Sequence, residues 1–310
     1  PPAVRVFGRL VMASFDPRGM LLGPRDGRPR ILHTMLRIGA VERALDFYTS
    51  ALGMAEIERI EVADKGATAL FLGYEGADRG ALLELVHYRG ADGYAHGTGY
   101  GHVAIGVDDV DAVFGRATAM GAEVMLEPGV IAPGGPRCAF VRDPDGYAIE
   151  LVRTRRVKQS ADAPPFDTKG VILGPNDGQP RVLHTMVRIA DLDRARSFYI
   201  DGLGMAERER VEIDFRGGVT ALFVGYDSGD AGRSIELTCY RQPGETYTHG
   251  AGYGHVAIGV ADVVATVERL TGLGFECTET PRLTHPGAPR RAFVRDADGY
   301  DIELIESARI

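Results

Sequence analysis

GPRDGRPRILHTMLRIG at residues 23–39 returns at residues 174–190 as GPNDGQPRVLHTMVRIA, displaced by 151 positions. The match does not stop at this phrase. Upstream it reaches back to FDPRGMLLG at 15–23 and FDTKGVILG at 166–174. Downstream it takes in RALDFYTSALGMAEIER against RARSFYIDGLGMAERER, TALFLGY against TALFVGY, GYGHVAIGV against itself, and FVRDPDGYAIELV against FVRDADGYDIELI. Repetition over such a length means that one unit was duplicated and fused to its copy. A chain of 310 residues holds two domains of ordinary size, each able to bury its own core. The expected modules are therefore 1–157, with an N-terminal extension, and 158–310, with a linker. TRRVKQSADAPP at 154–165, charged and then small and proline-rich, reads as that linker.

Inside each copy the periodicity changes in a fixed order. ILHTMLRI alternates with period two, as a strand does, and VERALDFYTSALG follows as a short helix with Leu45, Tyr48 and Leu52 near one face, stopped by Gly53. TALFLGY and ALLELVHY are the next strands. A second round starts at GHVAIGV and continues with a helix in DDVDAVFGRATAMG, N-capped by Asp108 or Asp109 and stopped by Gly121. It closes with RCAFVRD, a PDG turn and YAIELV. Each module thus reads as two similar strand–helix–strands halves. The fold class is α+β, with helices outside a largely antiparallel, strongly curved sheet.

Composition removes several function classes. The net charge of -8, from 43 acidic and 35 basic residues without a long basic run, disfavours nucleic acid and anionic membranes as partners. Cys138, Cys239 and Cys277 lack CxxC spacing, so neither a disulfide framework nor a thiolate metal site is expected, and the setting is a reducing, cytoplasmic one. No apolar run approaches the ~18 residues that cross a bilayer.

Period-two geometry then sorts the polar residues by face. His33, Met35 and Arg37 share one side of the first strand, and Leu82, Glu84, Val86 and Tyr88 share one side of ALLELVHY. His102 lies with Ala104 and Gly106, and Glu150 with Ala148 and Val152. The second copy supplies His184, Glu236, His255 and Glu303 in equivalent settings. A carboxylate in an apolar run is costly unless it is paired or bound to a cation. Two neutral imidazoles and two carboxylates neutralise one divalent ion, a mixed nitrogen and oxygen set suited to Ni²⁺, Co²⁺, Zn²⁺ or Fe²⁺.

The combination of HTMLR, DFYxxxLGM, LEL, YGHVAI and DPDGYxIEL resembles glyoxalase I, the lactoylglutathione lyase of the vicinal oxygen chelate superfamily, in its fused two-module form. The likeness covers nearly the whole chain beyond the first dozen residues. It implies tandem vicinal oxygen chelate modules, each of paired βαβββ units with curved mixed sheets. It also implies that the metal ligands are His33, Glu84, His102, Glu150, His184, Glu236, His255 and Glu303. In the family's paired modules a site lies between modules, so one site would combine His33 and Glu84 with His255 and Glu303, and the other His184 and Glu236 with His102 and Glu150. Fused modules can complete both within a monomer. The implied reaction isomerises a hemithioacetal, formed from a 2-oxoaldehyde such as methylglyoxal and a low-molecular-weight thiol, to a 2-hydroxyacyl thioester through an enediolate. One divalent ion per site, Ni²⁺, Co²⁺ or Zn²⁺, would stabilise the developing charge. By the same resemblance Glu303 or Glu150 is the principal base, and Glu236 or Glu84 exchanges protons on the opposite face. The apparatus also suits an epimerase, an isomerase or, with Fe²⁺, an oxygenase acting on a secondary metabolite. A non-enzymatic ligand-binding resistance protein is the further alternative.

Substrate contacts are read from the same comparison. Arg37 and Arg188 match the arginine that holds a carboxylate of glutathione, against the alternative of a salt bridge joining the modules. Where the family has an asparagine four residues after the first glutamate, this chain has Tyr88 and Tyr240, either substrate contacts or aromatic walls. Before AFVxD the family often has a basic group. Here VIAPGGPR and LTHPGAPR place Ala132 and Pro133, or His285 and Pro286, near that point, leaving Arg137 and Arg290 as candidate anion contacts. Both copies depart alike, which points to a remodelled thiol pocket. Only Lys65, Lys158 and Lys169 are lysine among the 35 basic residues, a bias typical of GC-rich genomes that makes mycothiol an alternative thiol. Glycine-dense loops carrying His96 and His249 are expected to form a mobile rim.

Overall fold

The computed structural model describes residues 28–62, 65–74, 81–131, 135–154, 177–213, 218–226, 233–240, 246–283 and 288–307. All but Thr154 of the expected linker, and the loop positions Ala132, Pro133, His285 and Pro286, lie outside the described residues. The chain folds as the same βαβββ unit four times over. The first unit has β1 (Arg30–Arg37), α1 (Val41–Asp46), β2 (Ala55–Val62), β3 (Ala67–Gly73) and β4 (Leu82–Tyr88). The second has β5 (Tyr100–Val107), α2 (Val110–Ala119), β6 (Glu123–Val130), β7 (Arg137–Arg142) and β8 (Ala148–Arg153). The third has β9 (Arg181–Ile189), α3 (Leu192–Arg196), β10 (Ala206–Ile213), β11 (Val219–Gly225) and β12 (Ser234–Tyr240). The fourth has β13 (Tyr253–Val260), α4 (Val263–Gly272), β14 (Cys277–Leu283), β15 (Arg290–Arg295) and β16 (Asp301–Glu306). Among the described residues no helix is long and apolar enough to cross a membrane.

These units assemble across the duplication. One eight-stranded sheet runs β14-β15-β16-β13-β1-β4-β3-β2, and the other β10-β11-β12-β9-β5-β8-β7-β6. In each unit the first and last strands pair in parallel, β1 with β4 and β13 with β16 in the first sheet, because the helix and hairpin bring the chain back alongside its start. Units from opposite halves join through the antiparallel pairs β1–β13 and β5–β9. Both sheets are therefore mixed, each taking four strands from either half of the sequence.

The helices obey their local signals, with one difference. Asp109 caps α2 by accepting the backbone N–H of Ala112, and Val110, Val113 and Ala117 face inward at helical spacing. Gly121 then turns the chain with a positive φ of 88°. The first helix is shorter than the periodicity predicts. It ends at Asp46 and widens into a π-helical turn over Phe47–Ala51, and the same happens over Ser197–Gly202 in the copy. The widened turn adds Phe47 to the buried face, where Tyr48 and Leu52 are buried and half-buried Leu45 packs against the same core, so the expected Leu45–Tyr48–Leu52 face is kept although the helix is not regular throughout.

The main core lies between the two sheets on their helix-bearing faces. Leu36, Phe47, Leu83 and Ile258 meet Val103, Val187, Phe198 and Ile149 there. At its centre Thr34 of β1 and Thr185 of β9 share a buried hydrogen bond of 2.5 Å between hydroxyls. The DPDG and DADG turns are tied in as well: Tyr48 and Tyr199 donate to Asp143 and Asp296, each at 2.8 Å. With this face closed by packing, the opposite, concave face of each sheet is left to carry the polar residues.

Candidate metal centres

His33 enters the first concave face from β1, Glu84 from β4, His255 from β13 and Glu303 from β16. Register explains the meeting: Met35 stands opposite both Glu84 and His255, so the side chains flanking the β1–β13 junction converge. His33 Nε2 lies 3.2 Å from Glu84 Oε2 and 3.8 Å from Glu303 Oε2, and His255 Nε2 lies 3.6 and 3.2 Å from the same two oxygens. The two Nε2 atoms are 3.4 Å apart. The second sheet repeats the arrangement. His102 Nε2 is 3.3 Å from Glu150 and 3.6 Å from Glu236, His184 Nε2 is 3.5 and 3.1 Å from them, and the imidazoles again approach to 3.4 Å. Each cluster draws two side chains from either half of the chain.

The donor atoms fit a common cation. Ligands bound at about 2.1 Å lie ~3.0–3.4 Å apart at angles between right and tetrahedral, close to the spacing in both clusters. Nε2 is the nitrogen that His33 and His184 turn toward the carboxylates, and their Nδ1 atoms are buried without a hydrogen-bond partner among the described residues. His33, His255 and Glu303 form one potential metal-holding triad, and His102, Glu150 and His184 the other. Electrostatics agree. Burial disfavours charge on Glu150, but the hydrogen bonds and charges of His102 and His184 outweigh it and hold the carboxyl down at about 2. Burial likewise lowers His184, yet the hydrogen bonds and charges of Glu150 and Glu236 raise it to about 9. The carboxylates thus create a pocket of negative potential that favours a positive charge at the imidazoles.

A phenylalanine borders every imidazole. Phe71, Phe140, Phe223 and Phe293 set their rings edge-on to His33, His102, His184 and His255, with centroids 5.2 to 5.4 Å apart. Each stands directly across its hairpin from a glutamate of the cluster, as Phe71 does from Glu84 and Phe293 from Glu303. Above the first cluster the sheet opens into a cavity of about 490 Å³ that Arg37, Tyr88 and Arg291 line together with Glu84, His255 and Glu303.

Comparison with known proteins settles the family. The model of the Glyoxalase/Bleomycin resistance protein/Dioxygenase superfamily matches twice, over residues 30–151 and 181–304. A lactoylglutathione lyase of Arabidopsis thaliana, GLX1, is 32% identical over 296 residues, covering 93% of this chain and 95% of its own. This chain belongs to the glyoxalase superfamily. The crystal structure of glyoxalase I from Zea mays superimposes with a TM-score of 0.75 at 30% identity, over 90% of this chain and 93% of that one. A single-module relative, the lactoylglutathione lyase of Haemophilus influenzae, is 44% identical over 129 residues, 42% of this chain and 96% of its own. With two tandem glyoxalase domains and two potential metal triads, the chain is a metal-dependent enzyme of the glyoxalase I type.

Within this glyoxalase frame the expected substrate contacts divide. Tyr88 and Tyr240 border cavities beside the two clusters. Arg37 and Arg188 also border them, but among the described residues neither forms the salt bridge considered as an alternative. Arg37 Nη1 donates to the carbonyls of Ala251 and Tyr253, each at 3.0 Å, and Arg188 Nη1 to those of Thr98 and Tyr100 at 2.8 and 3.0 Å, so both clasp the other half's backbone. Arg137 and Arg290 are not at the sites. Arg137 pairs with Asp111 of α2 at 2.6 Å, and Arg290 lies 3.7 Å from Glu306, both on the helix-bearing side. The neighbour Arg291 reaches the cluster instead, with Nη1 3.3 Å from Glu303 Oε1. The sequence reading missed it, although an Arg-Arg pair on an alternating strand must put one guanidinium on each face. It also missed the phenylalanines, each of which stands across an antiparallel strand pair from a glutamate of the cluster. The glycine-dense loops, expected as a rim, are fastened to each other: Thr98 N–H donates to Thr248 O at 2.7 Å and Ala251 N–H to Ala95 O at 2.6 Å. A Cβ at Gly97 would run into the backbone of Thr248 and Gly250. His96 and His249 brace the turns below through Asp145 O and Asp298 O.

Proposed function

We propose that the protein isomerises the hemithioacetal of a 2-oxoaldehyde and a low-molecular-weight thiol to a 2-hydroxyacyl thioester, with Ni²⁺, Co²⁺ or Zn²⁺ as its ion. The observation that carries this reading is the convergence of two imidazoles and two carboxylates, drawn from both halves, at the floor of an open concave face. A divalent ion held by His33, Glu84, His255 and Glu303, or by His184, Glu236, His102 and Glu150, would supply Lewis-acid polarisation of two adjacent substrate oxygens. The chain's own groups do the remaining work. A glutamate carboxylate beside the reacting carbons takes the proton from C1 and returns it to C2, with no net change in oxidation state. The four phenylalanine edges restrict water around the imidazoles and hold the rings in orientation. Nη1 of Arg37 is committed to carbonyls, which leaves its other nitrogens to meet a carboxylate of the thiol, with Tyr88 as the wall beside it. The reading carries with it tandem modules divided near residues 157 and 158, a cytoplasmic setting, and a monomer sufficient for both sites.

The test is metal analysis followed by assay of thioester formation from methylglyoxal with glutathione and with mycothiol. Thioester should appear with at least one thiol, vanish on chelation and return with Ni²⁺ or Co²⁺. A folded preparation that takes up no divalent ion would refute the assignment. An ion-loaded one that forms no thioester would refute the substrate.

A further inference from the structure

The two clusters share their ligand types but not the groups that hold their glutamates. In the first, Arg291 Nη1 donates to Oε1 of Glu303 at 3.3 Å, and Glu84 Oε1 has no partner among the described residues. In the second, Thr238 Oγ1 donates to Oε1 of Glu236 at 2.9 Å, and Glu150 Oε1 has none. The exchange is reciprocal in sequence. Where the first cluster has Arg291 the second has Cys138, and where the second has Thr238 the first has Val86. Cys138 does not replace the guanidinium: its short side chain makes no hydrogen bond to Glu150 among the described residues. Each cluster therefore has one glutamate tied at both oxygens and one tied only through Oε2. The tied one is from the last strand of its unit pair in the first sheet, β16, and from β12 in the second.

A carboxylate that must accept a proton from carbon and hand it on needs a free oxygen and room to turn. A carboxylate with its outer oxygen bonded is instead pre-oriented as a ligand. From this asymmetry, and resting on the proposed function above, we infer that Glu84 moves the proton in the first site and Glu150 in the second, and that the two sites consume hemithioacetals of opposite configuration at C1. The second step follows from symmetry. Both clusters have the same internal arrangement, a glutamate from the first strand pair on one side of the imidazoles and a glutamate from the second on the other. Glu84 belongs to the first kind and Glu150 to the second, so the two working carboxylates approach substrate from opposite sides. Addition of a thiol to an aldehyde in water gives both configurations at C1. A site with one mobile base removes the C1 hydrogen only from the configuration that presents it to that side. Arg291 and Thr238 are thus positioning residues, and one chain clears both C1 epimers of the adduct without waiting for either to dissociate and re-form.

Single-site proteins test this. His102→Ala with His184→Ala leaves the first site, and His33→Ala with His255→Ala leaves the second. Rapid mixing of a pre-equilibrated methylglyoxal–glutathione hemithioacetal with excess protein should give for each a fast phase of only part of the amplitude, equal to the share of one C1 epimer, the two shares complementary and the two proteins combined giving full amplitude. Calorimetry of the metal-free proteins with Ni²⁺ gives a readout independent of turnover. In the first-site protein Glu303→Gln should weaken binding about tenfold and Glu84→Gln by less. Arg291→Cys with Val86→Thr, which transfers the tie, should reverse that order. In the second-site protein Thr238→Ser should preserve the wild-type order and Thr238→Val should not. A full-amplitude fast phase from either single-site protein, or an order of Ni²⁺ affinities indifferent to the transferred tie, overturns the inference while leaving the functional reading intact. Absence of thioester from the unaltered protein removes both.

Discussion

Asp143 and Asp296 open the residue scale because each is a carboxylate placed where its charge is unwelcome. Burial pushes Asp143 up to about 7, against the hydrogen bonds from Tyr48 and from the Tyr147 and Asp145 backbone, and Asp296 stands at about 7 for the same reasons. A carboxyl whose folded value lies above its unfolded one binds its proton more tightly in the native state. Its contribution to stability is complete below the unfolded value of about 3.9 and is lost as pH rises through about 7. The wild-type urea midpoint should therefore fall between pH 5 and pH 8. In Asp143→Asn/Asp296→Asn that fall should be much smaller, since an amide oxygen can still accept the two backbone N–H groups while carrying no charge. Equal slopes in the two proteins would show that the turn carboxylates are ionised throughout.

At the scale of strands and helices, β1 and β9 meet through Thr34 and Thr185, which are 1% and 4% exposed and so have no water to fall back on. Replacing one partner strands the other, whereas replacing both by an isostere removes the polar pair altogether. Thr34→Val or Thr185→Val should each cost about 1–3 kcal/mol, and the double variant less than the sum, in urea denaturation at fixed pH. Strict additivity would mean that each hydroxyl has another acceptor. The same strands show what could be read in advance. Alternation in ILHTMLRI, LLELV, GHVAI and AIELV was enough to put His33, Glu84, His102 and Glu150 on one kind of face, because a strand's period leaves no freedom. RCAFVR and RRAFVR obey the same period, which the choice of Arg137 and Arg290 as candidate anion contacts, made from the family comparison, did not use. A step of one residue reverses the face, and it is Arg291, beside Glu303, that points there. The π-helical turns at Phe47 and Ser197 were not legible, because a widened turn is stabilised by burying Phe47 with Tyr48 and Phe198 with Tyr199 rather than by a local propensity. Nor could periodicity say that the glycine-dense loops clasp one another, since that contact joins residues 150 positions apart.

For the whole molecule, the consequence of duplication is that neither half of the sequence owns a sheet. The β1–β13 and β5–β9 seams place His33 against His255 and His184 against His102, so each cage is closed only where the halves meet. The Haemophilus influenzae relative, matched over 96% of its length by 42% of this chain, contains a single such module. Fusion converts a seam that a single module would have to make with another copy into an intramolecular one, at an effective concentration on the order of mM for a short connection. This arrangement makes metal stoichiometry a direct reading of which histidines share a cage. The unaltered chain should bind two Ni²⁺, one per cluster. His33→Ala/His255→Ala removes both imidazoles of one cage and should leave one ion. His33→Ala/His102→Ala removes the same number of imidazoles, both from the first half, and should leave none bound at micromolar concentration, because it damages both cages. Sites confined to single halves would give the reverse pattern, with His33→Ala/His102→Ala retaining an ion and His33→Ala/His255→Ala retaining none.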